Sequence, residues 1–145
     1  MSLPTDWPSI RDVLLLRLQQ LETDPTLQPW LLRAISLREC PAMIGYIGFH
    51  TAPGPEYLRL WSPDAVEFGF TVFPEYRRQG YATEASRALM QWARHVHGVI
   101  RFVMTIAPNN LPSQTLAASL GFKRIGSQLD EEDGIEDVLV LELFK

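Results

Sequence analysis

Pro74-Glu75-Tyr76-Arg77-Arg78-Gln79-Gly80-Tyr81-Ala82-Thr83-Glu84-Ala85 is the stretch on which the fold turns, because it joins two segments of different periodicity. Upstream, Val66-Glu67-Phe68-Gly69-Phe70-Thr71-Val72-Phe73 is rich in aromatic and β-branched residues and is closed by Pro74, which predicts a strand. Downstream, between Tyr81 and His97, the residues Ala85, Ala88/Leu89, Trp92/Ala93 and Val96 recur at helical spacing and predict a helix with one buried face. Gly80 lets the backbone between them come close to a ligand and take angles closed to other residues. The N–H groups of the helix's first turn, together with the positive end of its dipole, make an anion site bordered by Arg77 and Arg78. An ordinary strand-to-helix turn with a glycine and two solvated cations has the same local sequence, so the string alone leaves both readings open.

Outward from this stretch the pattern alternates strand and helix. Residues 9–21 predict a first helix with Ser9 as N-cap, Asp12 three residues on, and Ile10, Val13, Leu14, Leu18 and Leu21 on one stripe. Leu31–Glu39 and Met43–His50 read as an antiparallel hairpin around Cys40-Pro41-Ala42. Thr51–Asp64 holds four turn-forming Pro and Gly residues but also Tyr57, Leu58, Leu60 and Trp61, so it either packs back on the domain or lines a substrate cleft. Val99–Ala107 reads as a further strand. Asn110 then caps a helix with Pro112 in its first turn, Leu116, Ala117 and Leu120 on its buried face, and Gly121-Phe122 as a Schellman-type end. Phe122–Leu129 and Ile135–Phe144 are the last strands, separated by the acidic turn 130–134. The strand-helix units differ too much to be repeats.

At 145 residues the chain has the length of one domain, and 46% hydrophobic content supports a sizeable core. A net charge of −4 with no long basic run argues against a nucleic-acid partner and suits a cationic or amine substrate. The single cysteine, Cys40, excludes an internal disulfide, which points to a reducing, cytoplasmic compartment. No secretory leader or apolar stretch of bilayer length is visible, so no membrane partner is expected. Neither G-x-G-x-x-G nor G-x-x-x-x-G-K-S/T occurs, which removes support for NAD and Walker-type ATP sites.

The run Arg77-Arg78-Gln79-Gly80-Tyr81-Ala82 resembles the acetyl-CoA signature Q/R-x-x-G-x-G/A of the GNAT acetyltransferase superfamily, and Pro74–Ala85 as a whole looks like its RimJ/RimL-type branch. A second, independent likeness is Asn110-Leu111-Pro112-Ser113 followed by Leu120-Gly121-Phe122, similar to the superfamily's N-x-x-S…L-G-F segment. The resemblance covers residues 30–145 and implies one α+β domain over 1–145. Its fold would be a mixed, mostly antiparallel central sheet with a splayed parallel strand pair and helices on both faces. The family's first strand would be missing or minimal, since only Met1–Pro8 precede the first helix; the open sheet edge could serve a homodimer.

The resemblance further implies that an acetyl group passes from acetyl-CoA to an amine by direct attack in a ternary complex, with no metal. The acceptor could be a small molecule or a protein N-terminus. Phe70, Thr71 and Val72 would pair through their backbones with pantetheine and the acetyl group. Arg78, Gln79, Gly80, Tyr81, Ala82 and Thr83 would offer N–H groups to the pyrophosphate. Arg77 either braces this loop or contacts phosphate, and Asn110 either holds pantetheine or simply caps its helix. A backbone N–H near Val72 would serve the oxyanion.

For the general base, Glu67 is the only carboxylate in the central strand. It lies beside Gly69, a residue suited to a bulge, and burial near an apolar cleft would raise its pKa towards a useful range. His50 is a second possibility, while His95 and His97 suit the C-terminal end of a helix dipole. Many superfamily members carry a tyrosine four residues before the L-G-F glycine, where this chain has Ala117, so Ser113 or water is left as the acid. A glutamate sometimes found before the Asn is also absent, its register falling near Thr105. These departures keep a non-catalytic acyl-CoA-binding domain as the alternative reading. Cys40 is read as structural rather than as an acyl carrier.

Overall fold

A computed structural model describes residues 7–39, 41–131 and 133–143. The chain forms α1 (Trp7–Thr23), β1 (Arg33–Ser36), β2 (Met43–Phe49), β3 (Val66–Val72), α2 (Tyr81–His97), β4 (Arg101–Ile106), α3 (Leu111–Leu120), β5 (Lys123–Asp130) and β6 (Gly134–Glu142). The strands follow the order β1-β2-β3-β4-β6-β5. The β1/β2, β4/β6 and β5/β6 pairs are antiparallel, and β3/β4 is parallel. The expected mixed α+β sheet is therefore present. The connection from β3 through α2 to β4 is the crossover that a parallel pair requires. No described helix is long and apolar enough to cross a membrane.

Two compact units divide the chain, one from residues 1–52 and 69–86, the other from 53–68 and 87–145. In the first, Trp30 and Phe49 meet edge to face with centroids 5.6 Å apart, a geometry worth about 0.5–1.5 kcal/mol beyond the area it buries. Phe49 N donates to Trp30 O at 2.9 Å, so the segment before β1 is stitched to the end of β2. Phe73 N donates to Ile44 O at 2.9 Å and fixes the exit of β3. The second unit is centred on β4, whose Phe102, Val103 and Met104 are buried between its neighbours. Phe68 and Phe122 meet edge to face at 6.1 Å, and Leu58, Ala65, Val103 and Val138 form a separate cluster with Trp61 against it.

Several local expectations need correction. Helix α1 starts at Trp7, so Ser9 lies inside it rather than capping it. Leu18 is 54% exposed, because the last turns of α1 are held by polar contacts instead: Arg17 donates to Gln20 Oε1 at 2.7 Å, and Gln20 donates to His50 O at 2.9 Å. In α2 the buried face is Ser86, Leu89, Met90 and Ala93, one position round from the expected stripe, and Val96 is exposed. The hairpin's first strand is shorter than 31–39, since Trp30 and Leu31 are buried ahead of it and Leu31 N closes a turn on Leu27 O. The predicted turn at Cys40, the N-terminal segment 1–6 and Phe144 lie outside the described residues.

Helix α3 follows its sequence closely. Asn110 Oδ1 accepts from Ser113 N at 3.3 Å as an N-cap, with Pro112 in the first turn. At the other end Gly121 takes φ 96°, Phe122 N donates to Ala117 O and Gly121 N to Ala118 O, the paired bonds of a Schellman motif.

Candidate functional site

The exit of β3 is built by close backbone approach. A Cβ at Gly45 would collide with Thr71 O, so only glycine lets β2 lie this near to the residues expected to meet pantetheine. Phe70 and Thr71 are half-buried and Val72 is buried. Beyond Val72 the chain makes a 3-10 turn over Pro74–Tyr76, closed by Tyr76 N to Phe73 O at 2.9 Å. Arg77 then folds back, its Nε donating to Val72 O at 2.8 Å. Between the two sequence alternatives for Arg77, this is the bracing geometry.

Arg78 takes φ 64° and Gly80 φ 84°. A left-handed arginine is uncommon and mildly strained, and such conformations gather at ligand loops because surrounding structure holds them there. Gly80 O accepts from Glu84 N at 3.0 Å, so α2 begins directly from this glycine and the N–H groups of Tyr81, Ala82 and Thr83 belong to its first turn. Apart from its chain neighbours, no atom of the described residues lies within 4 Å of where a Cβ of Gly80 would stand. The glycine is thus required by its φ and leaves the approach to the helix end open. Residues 77–80 are exposed, and the Gln79 and Tyr81 side chains touch through Tyr81 Oη to Gln79 Oε1 at 3.3 Å. His50 belongs to the same unit, with its Nε2 3.1 Å from the position a Cβ on Gly69 would take.

In the other unit the start of β3 carries Glu67, only 6% exposed. The parallel ladder pairs Val66 with Phe102 and Glu67 with Val103. Thr105 follows Val103 by two residues and shares its face of β4. Its Oγ1 donates to Glu67 Oε2 at 2.6 Å, while Tyr57 Oη donates to Glu67 Oε1 at 2.8 Å. Both carboxylate oxygens therefore accept a hydroxyl, which is how a buried carboxylate keeps its charge solvated by the protein. Tyr57 and Thr105 were not anticipated as site residues. The available signals were Tyr57 in a loop too apolar for a linker and a hydroxyl, Thr105, near the register where the family resemblance sometimes implies a glutamate.

Segment 51–64 divides its labour. Leu58 is buried and Trp61 packs over Gly126, whereas Tyr57 is 49% and Leu60 96% exposed. At the mouth of α3, Ser113 is half-buried and Ala117 fully buried. Gln114 Nε2 donates to Ala107 O at 3.3 Å and to Asp137 Oδ2 at 3.0 Å, and Arg124 Nε meets Asp137 Oδ1 at 2.9 Å. Asp137 on β6 thereby ties Gln114 of α3 to Arg124 of β5. His95 and His97 are exposed, with His97 edge-on to Trp92. Among the described residues no group of three or more His, Cys, Asp or Glu side chains could hold a metal ion.

Comparison with known proteins agrees with this geometry. The model of the acetyltransferase (GNAT) domain matches residues 4–123. An uncharacterized N-acetyltransferase of Bacillus subtilis, YnaD, is 27% identical over 92 residues, 63% of this chain and 49% of the relative. The chain thus spans about half the length of the curated relatives it matches. The ribosomal-protein-S5-alanine acetyltransferase of Vibrio fischeri superposes with a TM-score of 0.69 at 16% identity, covering 97% of this chain and 76% of that one. The yncA protein of Salmonella typhimurium, solved with acetyl-CoA as its cofactor, superposes with a TM-score of 0.67 at 22% identity, covering 89% and 73%. At these identities the superpositions speak for the fold, and the family match speaks for descent: the chain belongs to the acetyltransferase (GNAT) domain family.

Proposed function

We propose that the chain is an acetyl-CoA-dependent N-acetyltransferase of the RimJ/RimL-like branch, which acetylates a primary amine by direct attack in a ternary complex. The observation that carries this reading is the loop from Arg77 to Gly80, with two left-handed residues and an open approach to the first turn of α2. Consecutive N–H groups in such a loop, at the positive end of a 17-residue helix, fit a pyrophosphate. The family match and the acetyl-CoA bound to the Salmonella typhimurium protein support the same donor.

Bound acetyl-CoA supplies the acetyl thioester. Backbone groups of Phe70, Thr71 and Val72, downstream of the paired residues Val66 and Glu67, align its pantetheine arm as an added strand would be aligned. Arg78 and the N–H groups of Gln79 to Thr83 hold its phosphates, Arg77 keeps the loop in shape, and Asn110 caps α3 so that Ser113 is presented. Glu67 receives the proton that the acceptor ammonium must lose, the N–H near Val72 donates to the oxygen that becomes negative, and the Ser113 hydroxyl gives its proton to the departing sulfur while taking the second proton that the acylated nitrogen sheds. The acceptor is a small-molecule amine or a protein N-terminus; the Vibrio fischeri protein is named for an alanine of ribosomal protein S5.

Incubation with acetyl-CoA and a panel of amines, namely spermidine, an aminoglycoside and peptides with N-terminal alanine or serine, should release free thiol above the amine-free background. E67Q should abolish this release while acetyl-CoA still binds in calorimetry. Ala117, buried where many relatives carry a tyrosine, favours one competing reading, an acyl-CoA-binding domain without turnover. Tight acetyl-CoA binding with no acetyl transfer to any of these acceptors would establish that competitor instead.

A further inference from the structure

We propose that Tyr57 is the proton carrier between the acceptor amine and Glu67, and that Thr105 is a positioning residue that fixes the carboxylate from its other side. This rests on the transferase reading and assigns a catalytic residue that neither signature contains. Glu67 is 6% exposed, so its carboxylate is covered, and each oxygen already accepts a hydroxyl, Oε1 from Tyr57 at 2.8 Å and Oε2 from Thr105 at 2.6 Å. Tyr57 is 49% exposed. Of this pair it is thus Tyr57, not Glu67, that is open to solvent.

The placement is held from three directions. Leu58, next in sequence, is 2% exposed and packs with Ala65, Val103 and Val138, which anchors the 3-10 turn Glu56–Leu58 that carries Tyr57. The register Glu67↔Val103 puts Glu67 and Thr105 on one face of neighbouring strands. Ala65, two residues before Glu67 on that face, belongs to the cluster beneath Leu58. Hydroxyl, carboxylate and hydroxyl thus stand in line on a packed floor, the arrangement that preorganises a proton path.

A phenolic oxygen can accept a proton while it donates its own. One N–H proton of the ammonium passes to Tyr57 Oη as the Oη proton passes to Glu67 Oε1. The amine is left neutral with a free electron pair for attack, the phenol ends with one proton as it began, and Glu67 ends neutral. No other reactant is consumed. Thr105 donates to Oε2 throughout and keeps Oε1 turned to the phenol.

The test compares wild type, Y57F, T105V, E67Q and Y57F/E67Q in acetyl-CoA thiol release with whichever of spermidine or an alanine-terminated peptide the wild type accepts best. Y57F should lower kcat about 100-fold, in the range general acid–base groups supply, with KM for acetyl-CoA unchanged. T105V should lower kcat about tenfold, again at constant KM, as expected of a group that only orients the base. The double variant should be no slower than E67Q, because both residues serve one proton transfer. A Y57F kcat within twofold of wild type, or losses that multiply in the double variant, would overturn the carrier.

If wild type accepts neither probe amine, carbon NMR decides. The Tyr57 ring-carbon signal should move at the pH where the Glu67 carboxyl titrates, and this step should vanish in E67Q. Its absence in wild type would overturn the proposal even without turnover. Calorimetry on the same samples separates the two readings: failure of wild type to bind acetyl-CoA counts against the transferase, whereas binding and turnover with an unimpaired Y57F count against the carrier alone.

Discussion

Arg77 and Arg78 are adjacent cations with different work. Arg77 spends its Nε on Val72 O, 2.8 Å away, whereas Arg78 sits in the left-handed conformation that shapes the loop. R77A should therefore weaken acetyl-CoA binding about tenfold, equivalent to about 1.4 kcal/mol, by loosening the loop. The salt dependence of binding should stay as in wild type, because a bracing residue is not a phosphate contact. R78A should flatten that salt dependence. Calorimetric titration at several ionic strengths separates the two, and a flattened dependence in R77A would make Arg77 a phosphate ligand. Ser86 is a different case: it is fully buried in α2 and its Oγ has no hydrogen-bond partner among the described residues. S86A removes an unpaired hydroxyl and adds helix propensity, so it should stabilise by about 1 kcal/mol and raise Tm by about 2–4 °C. A lower Tm would show that the hydroxyl has a partner after all.

Two glycines show how whole elements depend on the lack of a side chain. At Gly45 a Cβ would strike Thr71 O, a backbone atom of β3 that cannot turn aside. At Gly126, where the β5/β6 register shifts, it would strike the ring edge of Trp61, a side chain rather than backbone. G45A should therefore cost about 3 kcal/mol, the upper end of overpacking penalties, and weaken acetyl-CoA binding, since the displaced strand carries Phe70 to Val72. G126A should cost about 1 kcal/mol and leave acetyl-CoA affinity alone. Urea melts and calorimetry on both variants check the pair, and equal costs would show that β2 can yield. The sequence could not announce either collision, because both depend on partners far along the chain. It did announce α2, predicted from Tyr81 to His97 and found there, and the two ends of α3, because caps and prolines act locally. Leu18 and Val96 misled for the opposite reason: periodicity names an apolar stripe, but the neighbour decides which stripe is covered.

For the molecule as a whole, the same division between local and distant explains what was legible of the site. The cradle proposed from Arg77 to Ala82 is one continuous string, so its loop and the start of α2 could be read directly. The setting of Glu67 needs Tyr57 from a loop and Thr105 from another strand, so the residue could be named while its partners could not. Strand β3 passes from one compact unit to the other between Phe68 and Gly69, and α2 does so between Ser86 and Arg87. Residues 70–83 lie within one of these units, so a ligand that holds them should raise that unit's stability. Acetyl-CoA at 100 times its Kd should add about 2.7 kcal/mol and raise Tm by about 5–10 °C. Hydrogen exchange should slow most at the amides of 70–72 and 78–83, where the ligand's own acceptors meet the backbone. The shift should grow with the logarithm of acetyl-CoA concentration, because linkage to the native state requires it. A shift confined to adenosine-containing nucleotides without pantetheine would locate the binding energy in the base rather than in the loop and the strand exit. An unchanged Tm across that concentration range would remove the donor from the function proposed for this chain.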